Sequence, residues 1–210
     1  MMKISTVTKL AISGLLLWLT LVAGQMGYAN LHYFSANNQL GQWVSEGAIS
    51  SESSYQQALQ AISLSNEMHP DNPQYIETLA AIQEWAVYGG YAEDSNFSLA
   101  LANYERAIQL RPLWPWTWSA KVMTKWRLGE IDDVMWHALV KLGETGPYTM
   151  DANLVIVDVG LMLITSGSAY ADRAKLLAAE HYRRGMGNSR AVKPLKAVVK
   201  RHRAEDIVAS

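Results

Sequence analysis

SLALANYERAIQLRP, residues 98–112, decides the fold of this chain. Ala100, Tyr104 and Ala107 stand at offsets 0, 4 and 7, and Pro112 follows at 12. On a helix of 3.6 residues per turn the first three share one face, and the proline stops the run. A small-aromatic-small stripe packs closely, because a neighbouring helix approaches only where a small side chain faces a large one. The stretch predicts a helix that needs neighbours.

This pattern with its closing proline resembles the second helix of a tetratricopeptide (TPR) repeat. One such unit cannot bury its own face, so the resemblance implies further units at a period of about 34 residues. One period on, Val134 and Ala138 hold the small positions, and Gly146-Pro147 ends the run. In this unit Trp118 opens the first helix, and Gly129-Glu130-Ile131-Asp132-Asp133 supplies the turn between the helices. Lys121, Val122 and Lys125 depart from the pattern, standing where Leu, Gly and Tyr are usual. Upstream, Ala58, Ile62, Ser65 and Pro70 repeat the same offsets. Ala58 and Ala100 are 42 residues apart, which implies an insertion within the glycine-containing segment 89–96.

The N-terminus has a different character. Lys3 and Lys9 precede the uninterrupted apolar run Leu10–Gly24. A membrane-spanning helix needs about 20 residues, so the run crosses a bilayer only if the uncharged Gln25–Ala29 is included. Residues 1–29 are therefore a signal-anchor or a signal peptide. Gly27 and Ala29 form a small-x-small cleavage site before Asn30, whereas Trp18 and Tyr28 suit the two interfaces of an anchor. The anchor is the preferred reading. The leading lysines put the N-terminus in the cytoplasm and the rest across the membrane, in the periplasm of a Gram-negative cell; the alternative is a soluble periplasmic protein after cleavage.

Residues 30–52, rich in Ser, Asn, Gln and Gly, read as a linker with room for a short helix. Residues 53–188 read as the helical repeats. Pro73 opens one helix, and the β-branched run 153–167 reads as a buried helix rather than a strand because of its length and flanks. Residues 189–210 form a basic amphipathic capping helix with Pro194 in its first turn. Val192, Leu195, Val198 and Val199 face one way, and Lys193, Lys196, Lys200 and Arg203 the other. Charge is segregated: residues 30–172 carry a net −10 and residues 173–210 a net +7, hidden in a total of −1. The basic face suits a solvated cap, or contact with anionic headgroups, an anionic polymer or an acidic partner. Nucleic acid is disfavoured by the export segment.

With no cysteine in 210 residues there is no disulfide framework, thiolate nucleophile or cysteine metal site. The five histidines share no metal-ligand spacing, and no HExxH, GxSxG or phosphate-binding loop occurs. The chain reads as a non-enzyme without cofactor or metal. Five tryptophans, Trp114, Trp116, Trp118, Trp126 and Trp136, crowd into 23 residues. They fill the joints of helix packing or, if exposed, offer flat platforms for sugars.

The stretch YERAIQLRPLWPWTWSAK, residues 104–121, with GEIDDVMWHAL, residues 129–139, resembles the bacterial polysaccharide biosynthesis family VpsP. These are small membrane-tethered TPR-like proteins of exopolysaccharide or capsule production. The resemblance implies an all-α, TPR-like helical-repeat domain behind an N-terminal transmembrane or signal helix. It also implies a scaffold for the proteins of a polysaccharide synthesis and export complex at the inner membrane. It transfers no catalytic residues. Trp114, Trp116, Trp118, Lys121, Lys125 and Trp126 are the expected partner-binding set, and Lys193, Lys196, Lys200 and Arg203 the expected anionic-surface contact. Two alternatives stand beside the scaffold: direct glycan binding through exposed tryptophans and the basic tail, and a general envelope TPR adaptor.

Overall fold

The structure, a computed structural model, describes residues 5–208; Lys3 and the last two residues of the 189–210 segment lie outside it. Among the described residues there are ten helices and no strand. They are α1 (Thr6–Glu46), α2 (Glu52–Met68), α3 (Pro73–Tyr88), α4 (Ser95–Leu110), α5 (Pro115–Arg127), α6 (Asp133–Thr145), α7 (Met150–Thr165), α8 (Ala171–Met186), α9 (Ser189–His202) and α10 (Glu205–Val208). The chain divides into two compact units at Asn96 and Phe97.

In the first unit, α1 is one helix with two surroundings. Its apolar N-terminal part is largely exposed, and the helix is long and apolar enough to cross a membrane. From Ala29 on, the same helix enters a core. Ala29, Tyr33, Ala36 and Trp43 are buried, and Leu40 packs against them. Residues 30–46 are therefore not a linker. Their Ser, Asn, Gln and Gly side chains occupy the other faces of the helix, while the 4-3-4-3 spacing of Ala29, Tyr33, Ala36, Leu40 and Trp43 makes an apolar seam. The helix stops at Gly47, whose φ of 73° is the left-handed cap geometry glycine adopts without strain.

Helix α2 runs back along this seam, antiparallel. At one end Trp43 Nε1 donates to Ser54 Oγ at 3.0 Å; at the other Ser65 Oγ donates to the Ala29 carbonyl at 2.9 Å. The two alanine methyls let the backbones come this close. Pro70 and the Asn72 cap close the turn, and Pro73 starts α3 at a position where its missing N–H costs nothing. Tyr75 then ties α3 to α1: its hydroxyl donates to Asn30 Oδ1 at 2.7 Å and its ring stacks on Tyr33 at 5.2 Å.

The second unit is built around α7. Ala152, Ile156, Val157, Val159, Gly160, Leu161 and Leu163 are all buried, so this helix is covered nearly all round. That accounts for its continuous apolar sequence. Helix α8 lies antiparallel to it where Gly160 meets Ala178; a Cβ on Gly160 would come within 2.9 Å of the Ala178 methyl. Asp158, the interruption in the run, is half-buried and paired with Arg201 at 2.5 Å and His202 at 2.6 Å, which fastens the end of α9 to α7.

Several boundaries differ from the sequence reading. Helix α5 begins at Pro115, not Trp118, because proline takes its first position. Helix α9 begins at Ser189 under an Asn188 cap, which puts Pro194 inside the helix rather than in its first turn. In α6 the expected small position Ala138 is buried, but Val134 is 47% exposed, and Met135, Leu139 and Leu142 are buried with Ala138. The step from Ala100 to Met135 is 35 residues, the same as from Pro112 to Pro147. With that shift the offsets 0, 4 and 7 are buried in four helices. They are Ala58, Ile62 and Ser65 in α2; Ala100, Tyr104 and Ala107 in α4; Met135, Leu139 and Leu142 in α6; and Ala174, Ala178 and His181 in α8.

If residues 30–46 are core rather than spacer, truncating their largest side chain unfolds the first unit readily. Trp43→Ala should cost about 3–5 kcal/mol, read from thermal or denaturant unfolding of the full chain in detergent. A true linker residue would cost almost nothing.

Candidate functional site

The expected partner-binding residues fall into two groups once the second unit is folded. The α4–α5 turn, residues 111–114, projects outward because prolines at 112 and 115 bar helical backbone on both sides. Trp114 is 40% exposed and Trp116 53% exposed, next to a more exposed Leu113. The Arg111 guanidinium lies 4.3 Å from the centre of the Trp114 ring. These are the reachable aromatics.

Trp118, Lys121, Lys125 and Trp126 are instead engaged inside the unit. Trp118 is 8% exposed, its indole N–H donates to the Pro112 carbonyl at 2.8 Å, and its ring meets His137 edge-on. Trp126 packs against the α5–α7 core, as does Trp136, which stacks on Tyr170 at 5.7 Å. Lys121 reaches Glu105 on α4 at 2.8 Å. Of the expected partner-binding set, these four side chains therefore face the packing of α5 against its neighbours.

Lys125 is the clearest case. It is buried, and its ammonium meets Glu130 at 2.5 Å and Asp132 at 3.0 Å. Asp132 also caps α6 by accepting the Met135 N–H at 2.8 Å. The residues close a staple across the α5–α6 turn, which bends at Gly129 with a φ of 71°. Desolvation pulls the Lys125 ammonium down, but the two carboxylates outweigh it and hold it above its ordinary value. Desolvation works upward on Asp132, and the Met135 N–H and Lys125 together keep it below the usual range. The Lys125 charge is thus answered within the unit by Glu130 and Asp132.

The expected basic face has a different fate. Ala191, Leu195 and Val199 of α9 are buried against α7 and α8, and a Cβ on Gly185 would strike Leu195 Cδ1, so α9 sits tightly. Lys193, Lys196 and Lys200 are exposed along one stripe, and Arg203 extends it from the left-handed cap at a φ of 53°. Among the described residues none of these four makes an ion pair. The stripe is open to an anion.

One site was not apparent from sequence. His181 of α8 is 1% exposed, and its Nδ1 donates to Asn153 Oδ1 of α7 at 2.7 Å. It fills the slot left by Gly143, where a Cβ would stand 2.8 Å from His181 Nε2. Beside it opens a pocket of about 370 Å³ lined by Val140, Tyr148, Glu180 and Arg184. Burial, with help from the Arg184 charge, lowers the His181 pKa from 6.5 to about 4. Among the described residues no group of three or more His, Asp or Glu side chains is arranged to hold a metal.

No protein-family model matches the chain, and no curated protein matches it.

Two outcomes follow from these side chains. Asp132→Ala removes a helix cap and leaves a buried Lys125 half-paired, so it should cost about 2–4 kcal/mol. Lys125→Met should cost less, because the carboxylates it abandons are nearly half exposed. Chemical denaturation of both variants checks the order. His181 is neutral in the fold, so its contribution is complete above pH 6.5 and is lost as pH falls toward about 4. The loss should reach about 3 kcal/mol, and His181→Gln should flatten the slope of stability against pH across that window.

Proposed function

We propose that this protein is a non-catalytic, TPR-like scaffold held at the bacterial inner membrane by α1, with its helical units in the periplasm. It acts by protein–protein binding within a complex that makes or exports a cell-surface polysaccharide. The single observation that carries the TPR-like reading is the buried 0, 4, 7 triplet in α2, α4, α6 and α8. A repeat of packing positions, not only of residue letters, is what a stack of like units requires. The polysaccharide setting rests on the resemblance of residues 104–121 and 129–139 to the VpsP family.

The anchor rather than the cleaved signal is supported by the continuity of α1. Ala29, the last residue that cleavage would remove, is fully buried, and its carbonyl receives the Ser65 hydroxyl. A segment destined for removal has no reason to supply a core residue and a hydrogen-bond acceptor. Lys3 and Lys9 ahead of the apolar run favour a cytoplasmic N-terminus. The docking edge is the α4–α5 turn: Leu113, Trp114 and Trp116 are exposed and apolar, the character of interface anchors. The same two tryptophans favour a second reading, direct glycan binding, with the α9 lysines holding an anionic polymer.

The test is to recover the tagged full chain from membranes after mild crosslinking and identify what accompanies it. Glycosyltransferases, a polymerase or export components are expected, and Trp114→Ala with Trp116→Ala should reduce their recovery severalfold while leaving the fold intact. Reproducible recovery of the protein alone, or only of unrelated envelope complexes, overturns the polysaccharide scaffold.

A further inference from the structure

We infer that the pocket between α6, α8 and the α6–α7 turn binds one uncharged pyranose ring, with Tyr148 as its platform and the buried His181 as a hydrogen-bond acceptor. The site belongs to the second unit alone. It depends neither on the reading of α1 as an anchor nor on the α4–α5 turn as a docking edge.

At about 370 Å³ the pocket falls among small-molecule sites, which run to about 300–1,000 Å³. His181 is the most deeply buried polar side chain that lines it, at 1% exposure. Because Nδ1 donates to Asn153 Oδ1, the neutral ring keeps a lone pair on Nε2. Among the described residues no N–H or O–H donates to that nitrogen. Gly143, also in the lining, leaves it uncovered, since a Cβ there would stand 2.8 Å from Nε2. A buried acceptor in this position calls for a donor on the ligand.

The rim decides the ligand's charge. Glu180 is paired with Arg184 at 2.5 Å and Glu144 with Lys141 at 2.6 Å, so the mouth carries no net charge and selects neither an anion nor a cation. The Glu180–Arg184 pair uses one oxygen and one nitrogen, and the second carboxylate oxygen and further guanidinium N–H groups face hydroxyls well. Opposite them Tyr148 is 78% exposed, with the Arg184 guanidinium 5.9 Å from its ring centre. Val140, Pro147 and Leu177 add apolar wall. A pyranose presents both matching surfaces: a C–H face that lies on an aromatic ring, and hydroxyls that each donate and accept.

The full chain, labelled at its histidine ring nitrogens for NMR, is held in micelles whose headgroups are not sugars. His181→Gln identifies the His181 resonances. Methyl glycosides of glucose, galactose, mannose and N-acetylglucosamine are titrated beside glucuronic acid and glucosamine as charged probes. At least one neutral glycoside should bind saturably and shift the Nε2 resonance upfield, as a lone pair does on accepting a hydrogen bond. Tyr148→Ala should leave unfolding unchanged and weaken that binding severalfold, whereas Trp114→Ala with Trp116→Ala should leave the affinity as it was. Absence of an Nε2 shift with every neutral glycoside overturns the inference, and so does undiminished affinity in Tyr148→Ala. A charged probe that shifts Nε2 at lower concentration than any neutral one overturns the assignment of an uncharged ligand.

Discussion

Ala29 and Ala36 carry nothing beyond a methyl, and the first unit depends on that. Their small size lets α2 approach α1 closely enough for the Ser65 hydroxyl to reach the Ala29 carbonyl and for Tyr33 and Trp43 to fill the gaps between. The same helix is uncovered below Ala29 and packed above it. Where one regime gives way to the other is set by side-chain size, since a large residue at Ala29 would force α2 away. Everything attached to α2 and α3 inherits its position from this seam.

The second unit applies the rule with other residues. Gly143 makes room for His181, Gly160 for Ala178 and Gly185 for Leu195, so α6 to α9 interlock at three points where no Cβ fits. Polar groups drawn into this packing find partners: His181 meets Asn153, Lys125 meets Glu130 and Asp132, and Asp158 meets Arg201 and His202. A buried lysine or histidine without such partners would be far costlier than the surface ion pairs elsewhere on the unit. These residues therefore fix geometry, while the α4–α5 turn and the outer stripe of α9 stay exposed.

Helices were legible wherever the small-large-small spacing was followed by proline, as at Ala58 and Ala100. The same spacing at Ala29, Tyr33 and Ala36 was obscured because no proline closes it and because its polar neighbours have the composition of a linker. In α6 a 34-residue step finds the buried Ala138 but lands on the exposed Val134, because the closing prolines are 35 residues apart and the buried triplet starts at Met135. The candidate site was less legible. Lys125 stands where the repeat pattern expects an aromatic, and its partners, five and seven residues on, meet it only after the chain reverses at Gly129. His181 gave no signal at all, because its slot is made by a glycine on α6, 38 residues away. Of the tryptophans, exposure alone separates Trp114 and Trp116 from the three built into packing, and spacing carries no information about exposure.

In the proposed reading, α1 stays uncleaved and serves both as membrane span and as core. The intact mass of the protein isolated from cell membranes tests it most directly. A chain retaining residues 1–29, close to 23.3 kDa before any tag, is the result this account predicts. A shorter protein beginning at Asn30 and recovered from the soluble fraction would contradict it, and Ala29 would then have no part in the core.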